Sequence, residues 1–274
     1  MKKITALFLV VIFWSASAHA ALPVSMPAAF PEIRGCDGSL IRASSAEMSK
    51  QLTQLKIVLD KAPADAAALV EYSIALADSG RIEEAMAGYA RAIQLDPKNA
   101  AAYYNRAFDD EGIEKLGDAK KDYTKALELD PKLAEAELGL GRISALEDRH
   151  EEAVGHFTKA IALEADFGEA YYQRSASYDA LGKYQEAIQD LQKTAALNPN
   201  DACAYNNMGL EQESLGQADQ AMTSYDKAIT LNPSLVEPWE NRANLYLQRG
   251  DVRRAQMDLD HAQLASSQAL LKIN

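Results

Sequence analysis

The residues able to do chemistry in this 274-residue chain are four histidines, two cysteines and 40 acidic side chains. His150-Glu151-Glu152-Ala153-Val154-Gly155-His156 superficially matches a zinc-protease helix. That chemistry needs histidines four residues apart, so that both imidazoles reach one ion from one helical face. Six residues apart, they point about 240° from each other around a helix and cannot share a metal. His261 stands alone, and His19 falls in a leader-like segment. The acidic run Asp109, Asp110, Glu111 and Glu114 lacks the glycine-turned loop of a calcium site, so a solvated face is expected there. With no glycine-rich phosphate loop, nucleophile elbow or paired Cys/His arrangement, the sequence predicts no catalytic residue, no metal and no cofactor.

What must position the remaining side chains is a repeat. Leu-Asp-Pro or Leu-Asn-Pro closes at Pro97, Pro131, Pro199 and Pro233, each step a multiple of 34 residues, with Ala165 at the missing position and Pro63 one period upstream. Six units follow: 66–99, 100–133, 134–167, 168–201, 202–235 and 236–269. Position 8 of each is small (Ser73, Ala107, Gly141, Ser175, Gly209, Ala243), and position 20 is alanine from Ala85 to Ala255. Position 27 is alanine or threonine, and position 24 is large (Tyr89, Tyr123, Phe157, Leu191, Tyr225, Leu259). Small residues let two helices approach, and the large one fills the space left between them. The closing proline stops the second helix, because it lacks an amide hydrogen and clashes with the preceding turn.

On this period and these residues the chain resembles the tetratricopeptide-repeat family over 66–269. The resemblance implies an all-α, right-handed superhelical solenoid of about six helix–turn–helix units with terminal capping helices. It says little about function, because the scaffold is reused for many partners. It also implies that the first helix of each unit lines a concave groove. Placed on this sequence, the groove residues are Val70, Tyr104, Asn105, Phe108, Leu138, Arg142, Tyr172, Gln173, Asn206, Asn207, Asn241 and Asn244. Aromatic and apolar groups dominate the first four units, amides the last two, and an acidic rim runs through Glu111, Glu135, Glu169, Asp179, Glu213, Glu237 and Glu240. Aromatics bury large area at low entropic cost, amides pair with extended backbone, and acid favours a basic partner. Asn105-Arg106 and Asn241-Arg242 match the centre of the family's carboxylate clamp, but the flanking units lack its lysines, so no clamp is expected. Arg106, Arg174 and Arg242 recur at position 7 of every second unit, where ion pairs or aromatic stacking are expected.

The second and third units break the pattern, with Glu114 and Asp148 in place of the inter-helix glycine and Glu137, Asp110 and Ser144 at packing positions. Local irregularity and a binding or dimerisation surface are both open there. Ahead of the repeats, 21–45 is proline-containing and expected to be irregular, and Glu47–Lys61 carries Leu52, Leu55, Val58 and Leu59 at helical spacing. This is the expected N-terminal cap; at the other end 265–274 is apolar enough to cover the last unit, with 270–274 as a tail. Cys36 and Cys203 could form a disulfide in an oxidising compartment, which would thread the N-terminal arm toward the fifth unit; two independent thiols or an intermolecular bond are the alternatives.

Residues 1–20 read as a signal peptide: Lys2 and Lys3, an apolar run from Ile4 to Trp14, and Ala18-His19-Ala20 before the cleavage point. The run is too short to span a bilayer, which takes about 20 residues. Without Lys2 and Lys3, 26 basic residues face 40 acidic ones, a net charge of −14 that repels nucleic acid and anionic lipid. The expectation is therefore a periplasmic or secreted, non-enzymatic scaffold in the bacterial envelope. Its partner would be another exported or membrane protein, held as a peptide segment with a basic flank in the groove. The alternatives are a small-molecule or glycan binder and a self-assembling structural protein, including a homodimer.

Overall fold

The computed structural model describes residues 33–34, 40–41 and 45–271. Two short strands, β1 (Ile33–Arg34) and β2 (Leu40–Ile41), pair antiparallel, with Ile33 opposite Ile41 and Arg34 opposite Leu40. Then come α1 (Ser45–Lys61) and six helix pairs: α2 (Ala66–Asp78) with α3 (Ile82–Leu95), α4 (Ala100–Gly112) with α5 (Leu116–Leu129), and α6 (Ala134–Leu146) with α7 (His150–Leu163). The second half repeats the plan in α8 (Gly168–Ala180) with α9 (Tyr184–Leu197), α10 (Ala202–Ser214) with α11 (Ala218–Leu231), and α12 (Glu237–Gln248) with α13 (Val252–Leu271). Each helix packs on its partner and on the next pair, and the stack is the solenoid. The expected tail does not begin at 270, because α13 continues through Leu271.

Local sequence sets the helix ends. Asp65, Asn99 and Asp201 cap α2, α4 and α10, each side chain accepting from backbone N–H groups of the first turn. Between the two helices of a pair the chain needs one left-handed residue. Gly80, Gly182, Gly216 and Gly250 supply it with φ of 70° to 80°, and Glu114 and Asp148 adopt the same conformation at φ 61° and 58°. The irregular second and third units therefore keep the turn of their neighbours, at a steric cost carried by two side chains.

The core lies between the helices of each pair. Tyr89, Tyr123, Phe157, Leu191 and Tyr225 are all but fully buried, with Tyr123 in one cluster with Ala107, and Phe157 and Tyr225 against Gly141 and Gly209 of the first helix of their units. A Cβ on Gly141 would come within 2.4 Å of the Phe157 ring, and one on Gly209 within 2.4 Å of Tyr225. At the front, Leu52 and Leu59 of α1 cover the cluster around Leu69, Val70 and Ile74. At the back, Leu259 occupies the same position as the buried tyrosines yet is 39% exposed.

Candidate concave binding face

The first helices α2, α4, α6, α8, α10 and α12 carry the predicted groove residues, and the structure sorts these into three groups. Val70, Leu138, Arg142, Gln173, Asn105 and Asn206 are buried. Tyr104, Phe108, Tyr172, Asn207 and Asn241 are half-buried, and Asn244 is exposed. Val70 is spent on packing beneath α1, and Leu138 joins the core around Phe157. Arg142 lies beneath the surface, where its Nε and Nη2 each donate to a Glu111 oxygen at 2.7 Å. Tyr123 donates to the same carboxylate at 2.7 Å. Phe108 sits under the Arg142 guanidinium at 5.7 Å, and Tyr104 tilts against Tyr123 at 5.9 Å. Burial pushes the phenols of Tyr104 and Tyr172 up, so both stay neutral hydrogen-bonding groups.

Toward the C-terminal end the amides form a connected track. Asn207 Nδ2 donates to Tyr172 Oη at 2.9 Å, Asn206 Nδ2 to Asn207 Oδ1 at 3.3 Å, and Asn241 Nδ2 to Asn206 Oδ1 at 3.0 Å. Four side chains from α8, α10 and α12 are thus held in one line across three units. A fixed row of amide donors and acceptors next to a neutral phenol suits the alternating polar groups of an extended backbone.

Two expectations need correction. The acidic run in α4 is not a solvated face: Asp109 and Asp110 are buried and Glu111 is bound to Arg142. Asp109, Asp110 and Glu111 lie in the last turn of α4, which α5, α3, α2 and α6 pack against, and only Glu114, in the turn beyond the helix, is exposed. Nor is the acidic rim continuous. Glu169 is buried and accepts from Gln173 at 2.5 Å, and Glu213 accepts from Tyr225 Oη, leaving Asp179, Glu237 and Glu240 exposed.

The structure also shows features the sequence reading missed. Burial raises Asp109, hydrogen-bonded to Tyr89, to about 7, and raises the nearby Asp78 to about 7. Burial, reinforced by the adjoining Asp179, raises Glu211 to about 8. These carboxyls sit where one unit's first helix meets the next, and no spacing within a single unit signals them. A pattern that was available is the aspartate sixteen residues after each position-7 arginine. Arg106 donates to Asp122 at 2.6 Å, Arg174 to Asp190 at 2.7 Å and Arg242 to Asp258 at 2.8 Å. The three guanidinium groups lie over Tyr103, Tyr171 and Trp239, so ion pairing and aromatic stacking both hold them.

The histidines have structural surroundings. His156 Nδ1 lies 2.6 Å from Glu137 Oε2, and His261 stacks on Trp239 at 4.5 Å. Among the described residues no group of three or more His, Cys, Asp or Glu is placed to hold a metal ion, and no helix is long and apolar enough to cross a membrane. Cys203, on the concave side of α10, is disulfide-bonded; Cys36 lies outside the described residues.

Comparison with known sequences and structures adds the following. Profiles described as "Tetratricopeptide repeat" match residues 111–168, 168–201, 202–235 and 224–257, and one described as "TPR repeat" matches 75–108. No curated protein matches the chain. Among solved structures, that of MamA is 26% identical over 59% of this chain and 95% of its own, with a TM-score of 0.56. YrrB, described as a TPR protein with an unusual peptide-binding site, is 23% identical over 67% of this chain and 95% of its own, at 0.57. Pseudomonas aeruginosa pilF is 19% identical over 70% and 88%, at 0.63. The last two share the fold with this chain, and their low identity carries nothing beyond it.

Proposed function

The chain belongs to the tetratricopeptide-repeat family, a protein–protein interaction scaffold, and from that premise we propose that it works without catalysis in the bacterial envelope, holding an extended segment of another exported or membrane protein on its concave face. The observation that carries this reading is the track Tyr172–Asn207–Asn206–Asn241, which ends beside the exposed Asn244. Its amides are pre-ordered by each other, so a peptide backbone entering the groove meets donors and acceptors that lose little further entropy. Exposed Glu237, Glu240 and Asp179 at this end attract a basic flank. The leader-like first twenty residues and the disulfide on Cys203 support an oxidising, extracytoplasmic location.

A photo-crosslinking residue placed at Asn244 tests the reading in an envelope fraction, with one at exposed Lys121 of α5 as the control. We expect a defined protein adduct from position 244 and none from 121. We further expect the pair Asn207→Ala and Asn241→Ala to lower its yield about thirtyfold, since two hydrogen-bonding groups of roughly 1 kcal/mol each are removed. Equal adducts from both positions, or none from 244, would overturn the proposal.

A further inference from the structure

The second unit departs from the fourth and sixth at one packing position. Arg174 has two rings beside it, Tyr171 at 5.6 Å and Tyr178 at 5.7 Å, and Arg242 has Trp239 at 5.1 Å and Tyr246 at 5.9 Å. Arg106 keeps the first of these, Tyr103 at 5.8 Å, but position 11, which holds Tyr178 and Tyr246 in the other two units, is Asp110. A cavity of about 410 Å³ lies there, walled by Arg106, Asp110, Lys115, Asp118 and Asp122, with Met86 of the preceding unit. We propose that this cavity is a binding site for a phenol ring, the tyrosine side chain of a partner protein, which takes the place that Tyr178 and Tyr246 fill from within their own units.

The fourth unit shows what such a ring needs. The Lys183 ammonium lies 5.9 Å from the Tyr178 ring, so that ring has two cations beside it, and Arg174 is itself fixed by Asp190. Lys115 stands at the same position 16 as Lys183, and Asp122 fixes Arg106 as Asp190 fixes Arg174. The second unit therefore has the two cations and the anchoring carboxylate but no ring of its own. Guanidinium and ammonium groups attract the negative face of an aromatic ring, more strongly where water is displaced. Met86 adds an apolar wall. The volume is sufficient, since a cavity of ~150 Å³ already admits benzene.

Asp110 selects the substituent on the ring. Of the three carboxylates in the wall, Asp122 is paired with Arg106 and Asp118 with Lys121. Asp110 is 4% exposed, and its Oδ1 is buried with no hydrogen-bond partner among the described residues. A buried acceptor without a donor is costly, and a phenolic hydroxyl is the donor that an aromatic ring can bring. One ring binds weakly by itself, so its use is as an anchor within a wider protein contact, a role in which tyrosine is enriched. None of Tyr172, Asn206, Asn207 and Asn241 lines this cavity. The site is thus separate from the concave track, and its test does not depend on that track.

The probe is N-acetyl-L-tyrosinamide, titrated into the full chain and followed by saturation-transfer NMR. Saturable binding is expected, in the roughly millimolar range of a single ring. N-acetyl-L-phenylalaninamide, which lacks the donor, should bind about tenfold more weakly, the scale of one hydrogen bond to a charged group. Asp110→Tyr supplies the ring from within and should abolish binding; the fourth and sixth units already fold with tyrosine at that position. Lys115→Ala, at an exposed position, should weaken binding about threefold by removing one cation beside the ring. It decides the matter should Asp110→Tyr lose helicity by circular dichroism. Absence of saturable binding, or binding unchanged in a folded Asp110→Tyr or in Lys115→Ala, overturns the site. Equal affinity for the two probes overturns the part given to Asp110. Free L-tyrosine bound at least about tenfold more tightly than the amide overturns the partner-protein source in favour of a small aromatic amino acid.

Discussion

Individual carboxyl groups behave differently here according to which neighbour covers them. Glu111 is an ordinary ion-pair partner because Arg142 reaches it from the next unit. Glu211 meets Asp179 instead, and its Oε2 is buried without a hydrogen-bond partner among the described residues, as is Oδ2 of Asp109. With Glu211 raised to about 8 and Asp78 and Asp109 to about 7, the folded chain retains protons that the unfolded chain, with ordinary values of 4.5 and 3.8, has released. The native state binds more protons between roughly pH 4 and 8, so stability falls as pH rises through that window. Glu211→Gln keeps the shape without the charge. It should raise the melting temperature by about 2–4 °C at pH 8 and leave it unchanged near pH 4.5, the scale expected of ~1 kcal/mol in a chain of this size. A gain of equal size at both pH values would show that the charge is not the cause.

The second, third and fifth helix pairs close by the same contact, a large side chain from the second helix (Tyr123, Phe157, Tyr225) against a small one from the first (Ala107, Gly141, Gly209). In the third unit the contact is at its limit: Gly141 leaves no room for a methyl group beside Phe157. Gly141→Ala is therefore expected to destabilise by about 1–3 kcal/mol through overpacking, although alanine is the better helix former. Denaturant titration of that variant beside Gly155→Ala, whose Cβ would meet nothing within 4 Å, separates the two effects. If both variants gain stability, the small-against-large contact is not what sets the spacing. The same element explains the turns. Glu114 and Asp148 take the left-handed conformation because the helix pairing demands it, whatever residue stands there.

A solenoid is held by nearest-neighbour contacts, so its ends report how well it is capped. The first unit is covered by α1, under which Val70 is fully buried, whereas Leu259 of the last described pair is 39% exposed. Amide exchange should be slowest in α4 to α7 and fastest in α12 and α13, by roughly a hundredfold, with the first unit better protected than the sixth. Uniform protection would mean that the C-terminal edge is covered by something else, a second copy of the chain included. Much of this molecule was legible in one dimension. The 34-residue spacing of the prolines, the small residues at positions 8, 20 and 27 and the large one at 24 determine the helix pairs, because those contacts repeat within every unit. The two-unit alternation of Arg106, Arg174 and Arg242 with their aspartates was legible too, as a fixed separation of sixteen residues. Which concave side chains stay open was decided by the tertiary structure alone. Arg142 finds Glu111 in the preceding unit, Asn207 finds Tyr172, and Asp109 and Glu211 are shut away from water. The distance and tilt between successive first helices set those pairings, and they belong to the stack rather than to any one repeat.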